Sequence, residues 1–394
     1  MKVKASLCVF ASLFLTFSGA ELAGNWPPLD QPPPPVAKWT ALVDQAKVPN
    51  APLVKTVGQC ADKDTFCNWS CTGCTRPDSD VTKCPEKTDW GLTFDDGPTE
   101  FTNTLLDFLE TKNAKVTFFV IGSRVVENPE ILQKAVNAGH QIAIHTWSHP
   151  ALTTQSNEQI IAELKWTEAA IKAAVGITPK YMRPPFGDYD DRVRGIATQL
   201  GYKIVIWDED TNDWMSADDK TFQLTWIEGN FTQWVKQPST TGHISLEHDL
   251  YKQTAERAQL AVPIVQGAGF TIKPVAVCTN EQPYLENISL TGSAAGPAAG
   301  KAGKAPAAAP AAGKAAGKAP AAAPPAAAPA AYPSPAADPA YPPPASAPTS
   351  AYPYLVGDAQ SSPSATPATT NGASLNTISL WSFVSLIVGS FMFI

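Results

Sequence analysis

Residues 90–292 are expected to form one α/β domain with a largely parallel sheet, because short apolar runs alternate there with helix-length amphipathic stretches. Two further observations bound that domain. The last quarter of the 394 residues is dominated by Ala, Pro and Gly and lacks the hydrophobic variety of a core. The first 89 residues hold a proline run and six of the seven cysteines, which predicts a loop-rich, disulfide-bearing extension. About 190 residues of alternating pattern suit either a small barrel or a doubly wound sheet.

Taken in order, residues 1–20 carry Lys2 and Lys4, an apolar run, and Ser18-Gly19-Ala20. That layout predicts a secretory leader, since the apolar stretch is short for a bilayer span. Residues 21–89 follow as a stiff proline-rich lead-in at 26–35 and a cysteine cluster. Strands are expected at 90–94, 115–121, 141–144, 202–207, 243–246 and 270–277. Helices are expected at 105–109, 129–138, 158–174, 191–200, 222–235 and 254–266. Residues 293–370 form a low-complexity stalk of Ala, Pro, Gly and Lys, spanning roughly 50 Å as a coil and about 240 Å as polyproline. Residues 371–394 combine small residues, a short polar spacer and an uncharged apolar tail. This predicts a glycosylphosphatidylinositol (GPI) attachment signal, with Asn371 the expected attachment residue and a membrane lipid as partner.

Cysteine usage agrees with export. Cys8 lies in the leader, leaving Cys60, Cys67, Cys71, Cys74, Cys84 and Cys278. Cys71 and Cys74 have the spacing of a zinc knuckle or redox pair, but in an exported chain disulfides are the stronger reading. Fifteen pairings exist, and Cys278 must find its partner in the N-terminal cluster, tying the ends of the fold together. Asn68, Asn230 and Asn287 head glycosylation sequons. The formal charge of −7 and the absence of a basic stripe argue against nucleic acid, and a monomer is expected.

In such a fold, reactive side chains belong at the C-terminal ends of strands. Five segments stand out, several of them at such positions. Thr93-Phe94-Asp95-Asp96-Gly97-Pro98 ends the first predicted strand with adjacent carboxylates on a turn. His145 and His149 follow another strand, four apart, so both rings can reach one cation. Arg183 heads a proline-stiffened Arg-Pro-Pro-Phe-Gly loop. Trp207 to Trp214 gathers acids, including Asp213, between two tryptophans. His248 ends Ser-Leu-Glu-His. His140 and His243 start strands, the wrong end for chemistry, and are read as structural.

This ordered set, TFDDGP, HTWSH, RPPFG, DTNDW and SLEH, resembles the five motifs of the polysaccharide deacetylases of carbohydrate esterase family four. The secreted, cysteine-bearing, lipid-anchored layout is similar to that of fungal chitin deacetylases. The resemblance covers residues 90–277 and implies a distorted (β/α) barrel. It implies that Asp96, His145 and His149 hold a divalent metal, zinc first and cobalt next. Asp95 would be the general base, oriented by Arg183, and His248 the general acid, partnered by Asp213. The backbone N–H of Phe186 would stabilise the oxyanion, while Trp214 and Leu246 would line the pocket for the acetyl methyl. The third motif often carries Tyr where Phe186 stands, which puts a sugar contact by that hydroxyl in doubt.

The expected function is therefore metal-dependent N-deacetylation of chitin or chitin oligomers among cell-wall glycans, at the outer face of the plasma membrane. Acetylated xylan and peptidoglycan are the alternative polymers, since the motifs specify the chemistry and not the sugar. A non-catalytic glycan-binding wall protein is the alternative of another class, disfavoured because base, ligands and acid are all present.

Overall fold

The chain lays down nine parallel strands between Asp80 and Ile272: β1 (Asp80–Val81), β2 (Asp89–Asp95), β3 (Thr117–Val120), β4 (Gln141–Ile144), β5 (Tyr181–Met182), β6 (Lys203–Val205), β7 (Glu209–Asp210), β8 (His243–His248) and β9 (Thr271–Ile272). The computed structural model describes residues 21–217 and 219–290. The predicted leader, stalk, Asn371 and apolar tail lie outside the described residues. Ten helices accompany the strands among the described residues: α1 (Ala37–Thr40), α2 (Trp69–Thr72), α3 (Glu100–Thr111), α4 (Gly122–Glu127), α5 (Pro129–Asn137), α6 (Asn157–Val175), α7 (Asp191–Gln199), α8 (Thr225–Trp234), α9 (Lys252–Gly267) and α10 (Val275–Cys278). None of the described helices is long and apolar enough to cross a membrane.

The strand order is β1-β6-β5-β4-β3-β2-β8-β7, with β9 also on β2, and every pair is parallel. The sheet curls into a half-barrel with β1 and β7 as its edges, the distorted barrel that the motifs implied. β2 lies near the middle and is buried along its whole length. Trp90, Leu92 and Phe94 alternate along one face of β2, and Gly91, Thr93 and Asp95 on the other are buried as well. Helix starts follow ordinary capping chemistry. The Thr99 side chain accepts from the N–H groups of Phe101 and Thr102 at α3, and the Asp190 side chain from Val193 N–H at α7.

Three of the nine strands escape sequence reading. β1, β5 and β7 are two residues each, too short to leave a period-two pattern. The expected strand at 270–277 is corrected: only Thr271 and Ile272 pair with β2. Pro274, which has no N–H to donate, ends the ladder and opens α10. Cys278 therefore sits on a helical turn, where it bonds to Cys84 across 194 residues of chain. Closing a loop of that length constrains the unfolded chain by about 5 kcal/mol in the chain-entropy account.

The other disulfides, Cys60–Cys71 and Cys67–Cys74, close a small double loop around α2. The loop is fastened to the sheet domain by Arg194, which donates to Cys67 O (2.5 Å) and Cys74 O (2.9 Å) while its Nε donates to Asp80. Trp69 on α2 contacts Trp207 edge-on at 4.9 Å. Its N–H donates to Tyr189 O, and Ser70 donates to Asp188. The disulfide loop is thus packed against the segment that carries Phe186.

Gly187 records this packing. It holds φ +61, and a Cβ there would lie 2.1 Å from the Trp69 ring. Gly176 ends α6 at φ +76 with nothing within 4 Å of a Cβ. Gly176→Ala should therefore cost only the left-handed backbone strain, about 1–2 kcal/mol. Gly187→Ala should cost about 1–3 kcal/mol more, because Trp69 must shift. Equal losses in chemical denaturation would show that Trp69 does not rest on this glycine.

Candidate active site

The predicted site residues come from the C-terminal ends of four strands. Asp95 ends β2, His145 follows β4, Arg183 follows β5, and His248 ends β8. The β2–β8 register sets Asp95 beside His248 and Thr93 beside Leu246. Side chains two apart share a face, so Leu246 lies beneath His248 on the same side of the sheet. The backbone is strained where the side chains converge. Asp96 (φ 81), Thr146 (φ 66), His149 (φ 60) and Phe186 (φ 61) all hold left-handed conformations, which persist only when surrounding structure over-determines them.

Asp96 Oδ1 lies 3.4 Å from His145 Nε2 and 3.3 Å from His149 Nε2. The three donor atoms fall within 4.8 Å of one another. Their chemistry fits a divalent cation. Asp96 Oδ1 is buried without a hydrogen-bond partner. Burial holds both imidazoles below their usual pKa, so each is neutral with a lone pair to offer. His145 Nδ1 is engaged with Arg183 O at 2.9 Å, which leaves Nε2 as its free donor. Separations of 3.3–3.4 Å also match tetrahedral ligands at about 2.0–2.1 Å from one ion, which sit roughly 3.3 Å apart. Asp96 itself is penalised by burial, but His149, His248, His145 and Arg124 outweigh that and bring its carboxyl down to about 2.

Asp95 is buried, with Oδ2 3.7 Å from His145 Nε2 and Oδ1 held by Arg183. Arg183 Nη1 donates to Asp95 Oδ1 at 2.8 Å and to Thr93 Oγ1 at 2.7 Å. The guanidinium is wholly buried, 4.1 Å from the Phe119 ring centre and 5.3 Å from that of Trp207. Burial pushes the Asp95 carboxyl up to about 6, against the pull of Arg183 and His248. Across the strand pair, His248 Nδ1 meets Asp213 Oδ1 at 2.6 Å, and His248 N–H donates to Asp213 Oδ2 at 2.8 Å. Burial opposes charge on His248, but the Asp213 carboxylate, then Asp96 and Asp95, carry it up to about 10. The acidic stretch around Asp213 is therefore partly internal, since Asp213 is buried.

Phe186 is 46% exposed and sets its ring edge-on to His149 at 4.7 Å. Trp214 follows Asp213 and is 37% exposed at the rim. His140 and His243 stand outside the cluster. His140 Nδ1 accepts from Val116 N–H, and burial brings its imidazole down to about 3. His243 Nδ1 lies 3.0 Å from Asp208 and 3.3 Å from Glu209. Burial disfavours its charge, yet those two carboxylates raise it to about 9. Of the sequons, Asn287 is exposed. Asn68 and Asn230 are half-buried, with amides bonded to Ser70 and Thr211.

Two supporting residues were missed. Glu163 accepts from Trp147 N–H (2.8 Å), Ser148 N–H (2.9 Å) and Ser148 Oγ (2.7 Å), clamping the turn between the two histidines. Its signal was present: an acid on the apolar face of α6, between Ile160 and Thr167, both buried. Arg124 donates to Asp96 O at 2.6 Å from α4, and nothing in the sequence marks it.

The polysaccharide deacetylase family model matches residues 82–205. Chitin deacetylase 1 of Cryptococcus neoformans var. grubii is 42% identical over 292 residues, covering 67% of this chain and 61% of that protein. Chitin deacetylase 2 of Saccharomyces cerevisiae is 37% identical over 263 residues, 66% of this chain and 79% of that protein. The solved chitin deacetylase of Colletotrichum lindemuthianum superposes with a TM-score of 0.49 at 27% identity, covering 53% of this chain and 96% of that one. The match thus spans about three fifths of the Cryptococcus protein's length, and about four fifths of the yeast protein's. On that similarity, the chain belongs to the polysaccharide deacetylase family.

Proposed function

We propose that the chain hydrolyses the N-acetyl amide of N-acetylglucosamine units in chitin, yielding chitosan and acetate. The observation that carries this reading is the convergence of three candidate metal donors with an Arg-held carboxylate and an Asp-held imidazole at one strand-end face. Chitin is favoured as the polymer because the relatives above are named for it.

Asp96, His145 and His149 would hold the cation, with zinc favoured by the nitrogen-rich, three-ligand set. A cation bound there acidifies water towards neutrality and polarises the amide carbonyl. Asp95 accepts the proton from the attacking water, and Arg183 keeps its carboxylate ionised and aimed. The backbone N–H of Phe186 donates to the oxyanion. His248, kept protonated by Asp213, delivers its proton to the departing amine, so the C–N bond breaks to a free amine and acetate. Trp214 and Leu246 bound the space for the acetyl methyl. Residues 1–20 would act as a leader and 293–370 as a stalk. Attachment at Asn371 would hold the domain at the cell surface, within reach of wall chitin.

Acetate release from chitin oligomers, set beside acetylxylan, tests the proposal. Release from chitin that a chelator stops and divalent metal restores is expected, and no release from any chitin oligomer would refute the substrate. Asp95→Asn should lower kcat by roughly 10²–10⁴-fold while metal content stays at the parent level, because no ligand is touched. The pH profile supplies a separate check. Activity needs Asp95 ionised and His248 protonated, so kcat/KM should be bell-shaped. Asp213→Asn removes the carboxylate that stabilises the imidazolium, so His248 gives up its proton more easily. The alkaline limb should then move down by more than one pH unit. A lower kcat with that limb unmoved would remove His248 from the role of acid.

A further inference from the structure

The proline-rich segment before the sheet is a packed strap. Leu22 N–H donates to Val126 O, and Ser123 Oγ donates to Asp30 Oδ1 at 3.0 Å, both on α4. Farther along, Gln159 Nε2 and Trp166 Nε1 of α6 donate to Pro33 O and Pro34 O, each at 3.0 Å. Proline carries a carbonyl and no N–H, so an extended proline run offers acceptors alone. Here side-chain donors of the sheet domain take up those acceptors.

One of these contacts reaches the metal donors. Trp147 lies between His145 and His149, and its indole is completely buried. Its Nε1 donates to Pro28 O at 3.1 Å. Its ring stacks on Trp26 of the strap at 6.4 Å and 23°, and Trp26 in turn meets Trp166 edge-on. The turn from His145 to His149 is therefore gripped from two sides. Glu163 holds the backbone of Trp147 and Ser148, and the strap holds the Trp147 side chain. The turn needs that grip, because Thr146 and His149 both occupy left-handed backbone conformations.

We propose that the strap, through Trp26 and Pro28, is a positioning element that keeps His145 and His149 in their ligand-presenting conformation. This rests on the metal reading given above, but it makes a separate claim about the loop. Residues that orient a ligand indirectly usually alter metal affinity by about 10–100-fold when removed.

The test uses the full chain and zinc ion alone. Trp26→Ala should weaken zinc binding by roughly tenfold or more, and should speed amide hydrogen exchange at residues 147–149 in the metal-free protein. Trp26→Phe keeps an aromatic ring on Trp147 and should recover most of both. Leu109→Ala, a core truncation in α3, serves as the control: it should lower Tm while leaving zinc affinity and exchange at 147–149 unchanged. If Trp26→Ala likewise lowers Tm alone, the strap is merely structural and the proposal fails. A parent protein that binds no zinc would overturn the metal reading, and exchange at 147–149 would then decide the strap by itself.

Discussion

Two carboxylates on adjacent residues, buried at the end of the central strand, are the constraint around which this molecule is arranged. Asp95 and Asp96 repel each other, and both are largely withdrawn from water. The left-handed turn at Asp96 is how the chain separates them. Asp95 is handed to a guanidinium, and Asp96 is left facing two imidazoles with an oxygen that has no hydrogen-bond donor. Their environments push the two groups apart, Asp95 towards about 6 and Asp96 towards about 2. Such a divergence within one pair is how a site assigns different tasks to like groups.

Holding that pair requires rigid surroundings, and the fold supplies them in layers. The β2–β8 register brings His248 alongside Asp95 without any long loop. Arg183 is placed by the residue order of β5 and sandwiched by Phe119 and Trp207, so it cannot swing away from Asp95. Removing one member of such a buried pair leaves the other charge uncompensated, at a cost of about 3–5 kcal/mol. Outside this layer, Glu163 fixes the histidine turn, and Trp69 backs the loop of Phe186 against Gly187. The N-terminal extension is thus not a separate appendage, since β1, Trp69 and Cys84 all take part in the sheet domain.

Much of the site was legible in the sequence because strand-end chemistry leaves short, dense motifs. Asp95, Asp96, His145, His149, Arg183, Asp213 and His248 each stand in such a motif, and the fold brings them together. What was illegible acts from a distance. Glu163 lies 14 residues beyond His149 on a helix whose pattern is otherwise ordinary, and Trp26 precedes Trp147 by more than a hundred residues. The proline run read as a plain extended lead-in because stiffness shows in composition while docking does not. The short strands β1, β5 and β7 were missed because tertiary pairing alone defines a two-residue strand. Conversely, His243 stands at the start of β8, away from the strand-end cluster, with Asp208 and Glu209 beside it.

The central claim is that Asp96, His145 and His149 together hold one divalent cation. Zinc content per chain after equilibration in buffered zinc measures it most directly, on the parent and on His149→Ala. One equivalent in the parent, with almost none in His149→Ala under the same buffered concentration, is the expected result. No bound zinc in the parent, or a full equivalent retained without His149, would contradict it.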